Sequence, residues 1–237
     1  MPNNYFRFKQ FIIDQAGAAF KVGTDSVLLG ACADLTGASK ILEIGAGTAL
    51  ISIMAAQRSE AEIVTIEPHP ESYNQAQKNV LQCKWSKRIK IVKSDFQSFH
   101  QDTNEKFDLI ITNPPWFRDS LKNPDVTKSF IRHSESLSSV DILRGASKLI
   151  RPEGSLQLIL PYAEGNIFIA EASDYCFFCT RIIKIKAIPT GEIKRLILKF
   201  ERSKKSLKEK FLTIETGVRH QYTEEYKEVT KDFYLKF

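Results

Sequence analysis

Short apolar runs alternate along this chain with stretches that have helical spacing. Continuous apolar runs are typical of strands buried in a parallel sheet, and apolar residues three or four apart are typical of the helices that cover it. The predicted strands are 40–44, 63–66, 90–93, 107–112, 155–160, 179–187 and 195–201. The predicted helices are 27–33, 49–58, 70–83, 138–150 and 163–173. This alternation predicts an α/β fold of the Rossmann-like type, with a seven-stranded, doubly wound, mostly parallel sheet and an antiparallel terminal strand.

The chain has no internal repeat, low-complexity stretch or linker. We therefore expect one domain over residues 1–237, with 1–39 as an N-terminal arm or cap and 202–237 as a C-terminal extension. Aromatic and basic residues alternate within 1–12, which predicts a short strand that is either a plain edge strand or a contact for RNA. The aromatic residues between 222 and 237 are expected to dock the tail onto the body. Residues 151–154 are predicted to form a turn.

Composition narrows the class of protein. Hydrophobic content of 43% and charged content of 26% are ordinary for a soluble globular protein. The formal net charge of +6 indicates either a solvated surface or a polyanionic partner such as nucleic acid, and the basic run at 202–210 leaves the same choice between a solvated loop and a phosphate contact. No apolar run approaches the roughly 18–20 residues of a membrane span, and no signal peptide is visible, so a cytoplasmic protein is expected.

The cysteines and histidines do not suggest a metal site. Cys176 and Cys179 form an isolated pair among aromatic residues, which is more typical of packing than of metal binding or redox chemistry. The four histidines are scattered without the spacing of metal ligands.

A glycine turn follows the first predicted strand. Gly45 and Gly47 let the backbone approach a ligand at the carboxyl end of that strand. The dinucleotide fingerprint would have a third glycine where this chain has Leu50, and a P-loop lysine is also missing. Glu43 precedes the turn, where a carboxylate could face a cation. The turn therefore predicts a cofactor that carries a positive charge rather than a pyrophosphate.

Acidic residues stand at the ends of the next two strands. Glu67 lies 22 residues after Gly45 (67 − 45), the distance at which an acid accepts hydrogen bonds from ribose hydroxyls in doubly wound folds. Asp95 is placed to accept from the exocyclic amine of an adenine, with Phe96 beside the ring. Either acid could instead only cap the following helix.

Two other polar groups frame the expected site. Lys21 and Thr24, with Asp25, offer contacts to a zwitterionic ligand, although Thr24 or Asp25 could simply cap a helix. Asn113-Pro114-Pro115-Trp116 follows the strand 107–112. Two prolines fix φ twice and leave the carbonyls free, so an amide, a carbonyl and an aromatic face can grip a planar amine. Residues 117–136 beyond it are polar and aperiodic, which is typical of a functional or mobile connection.

These segments resemble known families. The residues from Glu43 to Gly47, Glu67 and the pair Asp95-Phe96 resemble the S-adenosylmethionine motifs of class I methyltransferases, and 113–116 resembles their amino-methylating signature [DNS]-P-P-[YFW]. Adenine-N6, guanine-N2 and glutamine-N5 methyltransferases share these motifs. Residues 8–13, 21–31 and 222–235 resemble the bacterial valine-tRNA adenine-N6 methyltransferases, and the likeness spans essentially the whole chain. Trp116 stands where that family more usually has Tyr or Phe.

The resemblance implies an activity, a cofactor and a partner. The expected activity is transfer of a methyl group from S-adenosyl-L-methionine to N6 of the adenosine 3′ of the anticodon, position 37, in a valine tRNA. The anticodon stem-loop is the expected partner, and a monomer without metal is expected. The implied catalytic residues are Asn113, Pro114, Pro115 and Trp116. The implied cofactor-binding residues are Lys21, Thr24, Glu43, Gly45, Gly47, Glu67, Asp95, Phe96 and Asn113.

Other activities remain open at this stage. A glutamine-N5 protein methyltransferase of the release-factor type, or a guanine-N2 ribosomal RNA methyltransferase, would use the same turn at 113–116. A release-factor enzyme normally carries an N-terminal helical domain, and only about 39 residues precede the first buried strand here. A non-catalytic RNA-binding protein with a decayed site is a further alternative, against which the intact set of Glu43, Glu67, Asp95 and Asn113 speaks.

Overall fold

The computed structural model describes residues 4–17, 21–115 and 137–236. A hairpin of β1 (Tyr5–Arg7) and β2 (Ile12–Asp14) precedes the main sheet. The strands of the sheet are β3 (Lys40–Ile44), β4 (Glu62–Ile66), β5 (Ile89–Val92), β6 (Phe107–Thr112), β7 (Ile150–Pro161), β8 (Phe178–Lys186), β9 (Ile193–Glu201) and β10 (Lys208–Thr213). The described helices are α1 (Thr24–Cys32), α2 (Leu50–Arg58), α3 (Pro70–Gln82), α4 (Phe96–Asp102), α5 (Ser139–Leu149), α6 (Tyr162–Ala172) and α7 (Glu224–Thr230).

Within the described residues, the sheet has eight strands in the order β10-β8-β9-β7-β6-β3-β4-β5. All pairs are parallel except those of β9, which runs antiparallel to both β7 and β8. The expected α/β fold is therefore confirmed, with two differences. The reversed strand lies inside the sheet, and an eighth strand, β10, occupies part of the segment expected to be a loop. Because β10 lies at an edge with its residues 208–211 exposed, it lacked the apolar run that marks a buried strand.

Helices cover both faces of the sheet. Alternate strand residues point to opposite faces, so Ile41 packs in one core and Leu42 and Ile44 in the other. The first core lies under α1, α2, α3 and α7, and the second under α4, α5 and α6. Burial of both faces explains why the central strands read as continuous apolar runs.

Two local features differ from the expectation. Residues 151–154 fall within the range of β7, but there they form an irregularity without partners on β6, because the register passes from Phe107–Ile150 to Leu109–Ser155. Gly154 suits this close approach, since a Cβ there would lie 2.9 Å from the carbonyl oxygen of Asp108. Helix α1 begins at Thr24 rather than Val27, and Gly23 is its N-cap without a side-chain cap.

The N-terminal arm is held by aromatic packing against the C-terminal tail. Phe8 is 2% exposed, and its ring lies 4.7 Å from that of Phe11 and 5.9 Å from that of Tyr234. The Lys9 N–H donates to the carbonyl of Phe233, which is itself buried. The docking of the tail is therefore confirmed. The single strand expected in 1–12 is instead a hairpin, and the buried rings of Phe8 and Phe11 contribute to the core rather than to a surface for RNA.

Candidate active site

The carboxyl ends of the parallel strands form the edge of the sheet where the expected site residues lie. Gly45 and Ala46 donate backbone hydrogen bonds to the carbonyl of Ile66 at the end of β4. Glu67 in turn donates from its N–H to the carbonyl of Val92 at the end of β5. These bonds place the glycine turn, Glu67 and the segment leading to Asp95 side by side. Ligands of open α/β sheets bind at this edge.

The glycine turn has an open surface. Gly45 and Gly47 adopt φ of +81° and +53°, a region that side chains with a Cβ disfavour. A Cβ built on either glycine would have no atom within 4 Å. The space above the turn can therefore receive a ligand, which would contact the backbone of the turn directly.

Glu67 is buried and holds the glycine turn in place. It is 5% exposed, and its two carboxylate oxygens accept hydrogen bonds from the N–H groups of Gly47, at 2.8 Å, and His69, at 3.0 Å. Each carboxylate oxygen has a second lone pair, so Glu67 can still accept from a pair of hydroxyls. Its position at the end of β4 is the one expected for a ribose contact.

Glu43 lies between β4 and α2 rather than on the ligand side of the turn. It is 1% exposed, and its carboxyl accepts hydrogen bonds from the Ser52 N–H, the Ser52 hydroxyl and the Thr65 hydroxyl. Burial raises the pKa of Glu43 to about 8, although these hydrogen bonds oppose the rise. The carboxyl is therefore mainly neutral at pH 7, and the expectation of a carboxylate facing a cation does not fit this position.

Asp95 and Phe96 take different environments. Asp95 caps α4, with its carboxylate accepting from the Ser98 N–H at 2.7 Å and the Ser98 hydroxyl at 3.1 Å. The backbone bond from Ser98 lowers the pKa of Asp95, so this exposed group is a charged acceptor at the sheet edge. Phe96 is 2% exposed, with its ring in the space a Cβ of Gly145 would enter. The Phe96 ring therefore cannot lie beside an adenine, as had been expected, and only its backbone can meet a ligand.

The first turn of α1 contacts the turn at the end of β6. Lys21 and Thr24 are exposed at the start of this helix. The helix is tied to β9 by an ion pair between Asp25 and Arg195, whose nearest atoms are 2.8 Å apart. In the same first turn, the Ser26 hydroxyl accepts a hydrogen bond of 2.9 Å from the side-chain amide of Asn113.

Asn113 is therefore oriented by a partner from a distant part of the sequence. Its Nδ2 is bound to Ser26, so its Oδ1 is turned away from Ser26. The Thr112 hydroxyl donates to the carbonyl of Ile44, which joins the ends of β6 and β3. Pro114 is buried and Pro115 exposed, and Trp116 lies outside the described residues. Ser26 was not among the expected site residues, because nothing in its neighbours predicts a contact 87 residues away.

The remaining chemical groups do not form a second centre in the part of the chain that the structure describes. No group of three or more His, Cys, Asp or Glu residues there could hold a metal ion. Burial raises the pKa of the Cys179 thiol to about 12, while Cys176 is exposed rather than packed. Among the described helices, none combines the length and apolar character that crossing a membrane requires.

Comparison with known proteins gives consistent results. Residues 18–163 match the model of the methyltransferase small domain family. The sequence is 42% identical to a tRNA1(Val) (adenine(37)-N6)-methyltransferase of Bacteroides thetaiotaomicron, in an alignment that covers 99% of each chain. It is 39% identical to a protein of the same name from Trichodesmium erythraeum, over the full length of both.

Solved structures show the same fold. A predicted O-methyltransferase from Agrobacterium tumefaciens superposes with a TM-score of 0.66 at 22% identity, covering 88% of this chain and 96% of the other. A glycopeptide N-methyltransferase solved with S-adenosyl-L-methionine superposes with a TM-score of 0.58 at 10% identity, covering 78% of this chain and 96% of that one. At these identities the likeness establishes a fold shared with methyltransferases.

Proposed function

Because the chain belongs to the family of tRNA1(Val) (adenine(37)-N6)-methyltransferases, we propose that it methylates N6 of adenosine 37 in a valine tRNA. The observation that carries the proposal is the turn Asn113-Pro114 at the end of β6, with the Asn113 amide oriented by Ser26. The anticodon stem-loop is the proposed partner. We further propose that the enzyme acts in the cytoplasm as a monomer.

The residues at the carboxyl edge suit S-adenosyl-L-methionine, which supplies an electrophilic methyl group on a sulfonium when bound. Glu67 would accept hydrogen bonds from the ribose hydroxyls, and Asp95 would accept one from the adenine amine. The open turn at Gly45 and Gly47 would admit the methionine portion, near Lys21 and Thr24. Glu43 is proposed to support this turn from beneath, through Ser52 and Thr65, rather than to touch the cofactor.

Asn113 and Pro114 would activate the target amine by accepting its hydrogens. The lone pair of an exocyclic adenine amine is delocalised into the ring, which makes the nitrogen a poor nucleophile. If Asn113 Oδ1 and the Pro114 carbonyl each accept one N–H, they draw the nitrogen toward tetrahedral geometry and localise the lone pair on it. A proton leaves the nitrogen after methylation, when it has become acidic. This is catalysis by positioning and electrostatics.

Ser26 is proposed to be a positioning residue for this step. In this structure Nδ2 of Asn113 donates to the Ser26 hydroxyl, so the other amide atom, Oδ1, faces away from α1. An acceptor is required there, because the amine offers only donors. We also propose that Trp116 stacks on the target base. An adenosine in the anticodon loop is unpaired, so moving its base out of the stack costs less energy than extruding a paired base.

The relatives also discriminate between the alternatives. Relatives at 37–42% identity over essentially the whole chain carry the adenine-N6 name, so glutamine-N5 and guanine-N2 methylation are not favoured. A decayed site is not favoured either, since the acceptor turn and the open glycine turn are both present.

The proposal is tested by methyl transfer from tritiated cofactor to unmodified tRNA, followed by mass spectrometry of the methylated nucleoside. We expect N6-methyladenosine at position 37 of a valine tRNA. Asn113→Ala should lower kcat by roughly 10²–10³-fold, the loss typical for one positioned acceptor or donor. Near-normal transfer by that variant would contradict the mechanism, and methylation of guanine or of a protein glutamine would contradict the substrate.

A further inference from the structure

The cofactor and the RNA are expected to use different halves of the sheet. The proposed cofactor residues follow β3, β4 and β5, and Asn113 follows β6. On the other side of β6 lie β7, β9, β8 and β10. An RNA that reaches Asn113 from the side away from the cofactor residues would meet the carboxyl ends of these strands. With about 4.8 Å between strands, β10 lies roughly 19 Å from β6.

An exposed aromatic ring flanked by two lysines lies on this half. Phe211 of β10 is 56% exposed and pairs in register with Lys184 of β8. The ammonium groups of Lys184 and Lys186 lie 5.6 Å and 5.7 Å from the centre of its ring. We name Phe211, Lys184 and Lys186 the Phe211 patch. Lys186 is the last residue of β8, so the patch lies toward the carboxyl edge, where Asn113 also lies.

Protection of the edge strand does not require this arrangement. Proteins protect edges by placing charged residues on the edge strand itself, and β10 has the exposed Lys208, Glu209 and Lys210 for that purpose. Phe211 follows them as an exposed ring, and the two lysines beside it project from the inner neighbour β8. Lys184 also forms an ion pair of 2.9 Å with Glu209, which holds it in position. An exposed aromatic ring beside basic side chains is a combination with which proteins bind single-stranded nucleic acid.

The N-terminal arm and the start of the basic run lie elsewhere. The arm places Phe8 and Phe11 in the core. The basic run at 202–210 follows β9, whose end pairs with the start of β8 at Phe178. From Phe178 to Lys186 is about 26 Å along an extended strand, so that run begins at the edge opposite Asn113.

On the basis of the proposed function, we propose that the Phe211 patch binds the tRNA at an unpaired nucleotide outside the methylated adenosine. The ring of Phe211 stacks on the base, and Lys184 and Lys186 contact backbone phosphates. The patch thereby contributes to affinity for the RNA and not to the chemistry at Asn113.

The proposal is tested by the kinetics of Phe211→Ala, Phe211→Trp and Lys186→Ala with unmodified valine tRNA. Loss of one stacked base should raise the KM for tRNA roughly 5- to 150-fold in Phe211→Ala, with kcat and the KM for cofactor unchanged. Phe211→Trp should keep the affinity, since any aromatic face can stack. Lys186→Ala should raise the KM for tRNA and reduce the slope of log KM against log salt by about 0.7.

Matched controls lie on the far side of the molecule. Leu81 of α3 is a 77% exposed apolar residue, and Lys90 of β5 is an exposed lysine on the opposite edge strand. Leu81→Ala and Lys90→Ala should leave the KM for tRNA unchanged. An unchanged KM and salt slope in the patch variants, or equal effects in the controls, would overturn the proposal.

Direct binding separates this proposal from the proposed function. Filter binding of labelled tRNA to wild type and Phe211→Ala needs no methyl transfer. If wild type fails to methylate adenosine 37 but Phe211→Ala still loses tRNA binding, the proposed function fails and the patch stands. If wild type methylates the tRNA and Phe211→Ala binds it as tightly, only the patch is refuted.

Discussion

Replacing Ser26 with alanine tests whether the orientation of Asn113 matters for catalysis. The change removes one hydroxyl from α1 and leaves Asn113 without the acceptor that binds its Nδ2 at 2.9 Å. A hydrogen bond between neutral groups contributes about 1 ± 0.5 kcal/mol net. Without it, the amide can rotate and present its NH₂ group to the substrate amine, which is also a donor. We expect kcat to fall roughly 2- to 15-fold, with the KM for cofactor unchanged.

The assay is methyl transfer under saturating cofactor and tRNA, with unfolding monitored to exclude a loss of folded protein. Ser26→Thr restores a hydroxyl and should recover most of the rate. The decisive comparison is a double-mutant cycle with Asn113→Ala. If Ser26 acts through Asn113, adding Ser26→Ala to Asn113→Ala should cost nothing more. The reasoning would be refuted if Ser26→Ala kept the wild-type kcat. It would also be refuted if Ser26→Ala lowered kcat by the same factor in the Asn113→Ala background as in the wild type.

Two other predictions concern the acids. Glu67→Ala should weaken cofactor binding in calorimetry by roughly 10- to 150-fold, since charged hydrogen bonds contribute about 1.5–3 kcal/mol. Glu62→Ala, at the exposed start of the same strand, should not change it. For Glu43, the native state keeps the proton to about pH 8, whereas the unfolded chain releases it near 4.5. Stability should therefore fall by about 1.4 kcal/mol per pH unit between these values, and urea unfolding of Glu43→Gln should lack this dependence. Identical pH dependence in wild type and variant would contradict the burial argument.

The fold and the edge of the sheet that carries the site could be read from local patterns. Continuous apolar runs predict strands buried on both faces, and the glycine turn after 40–44 predicts where a ligand approaches, because positive φ favours glycine. Expectations failed where burial is partial or a contact is non-local. Strand β10 is exposed at the sheet edge, and the partner of Asn113 is Ser26, 87 residues earlier.

The sequence by itself determined the residues of the proposed catalytic turn, the acids at the strand ends and the family to which they point. Tertiary structure decided what each of them can do. Glu43 and Phe96 lie close in sequence to the same sheet edge as Glu67 and Asp95, yet burial makes Glu43 mainly neutral and places the ring of Phe96 in the core. Asn113 receives its orientation from Ser26, 87 residues earlier. The local sequence pattern shows which side chains are present at the site. Burial and contacts with distant segments determine the charge of each side chain, its orientation and whether a ligand can reach it.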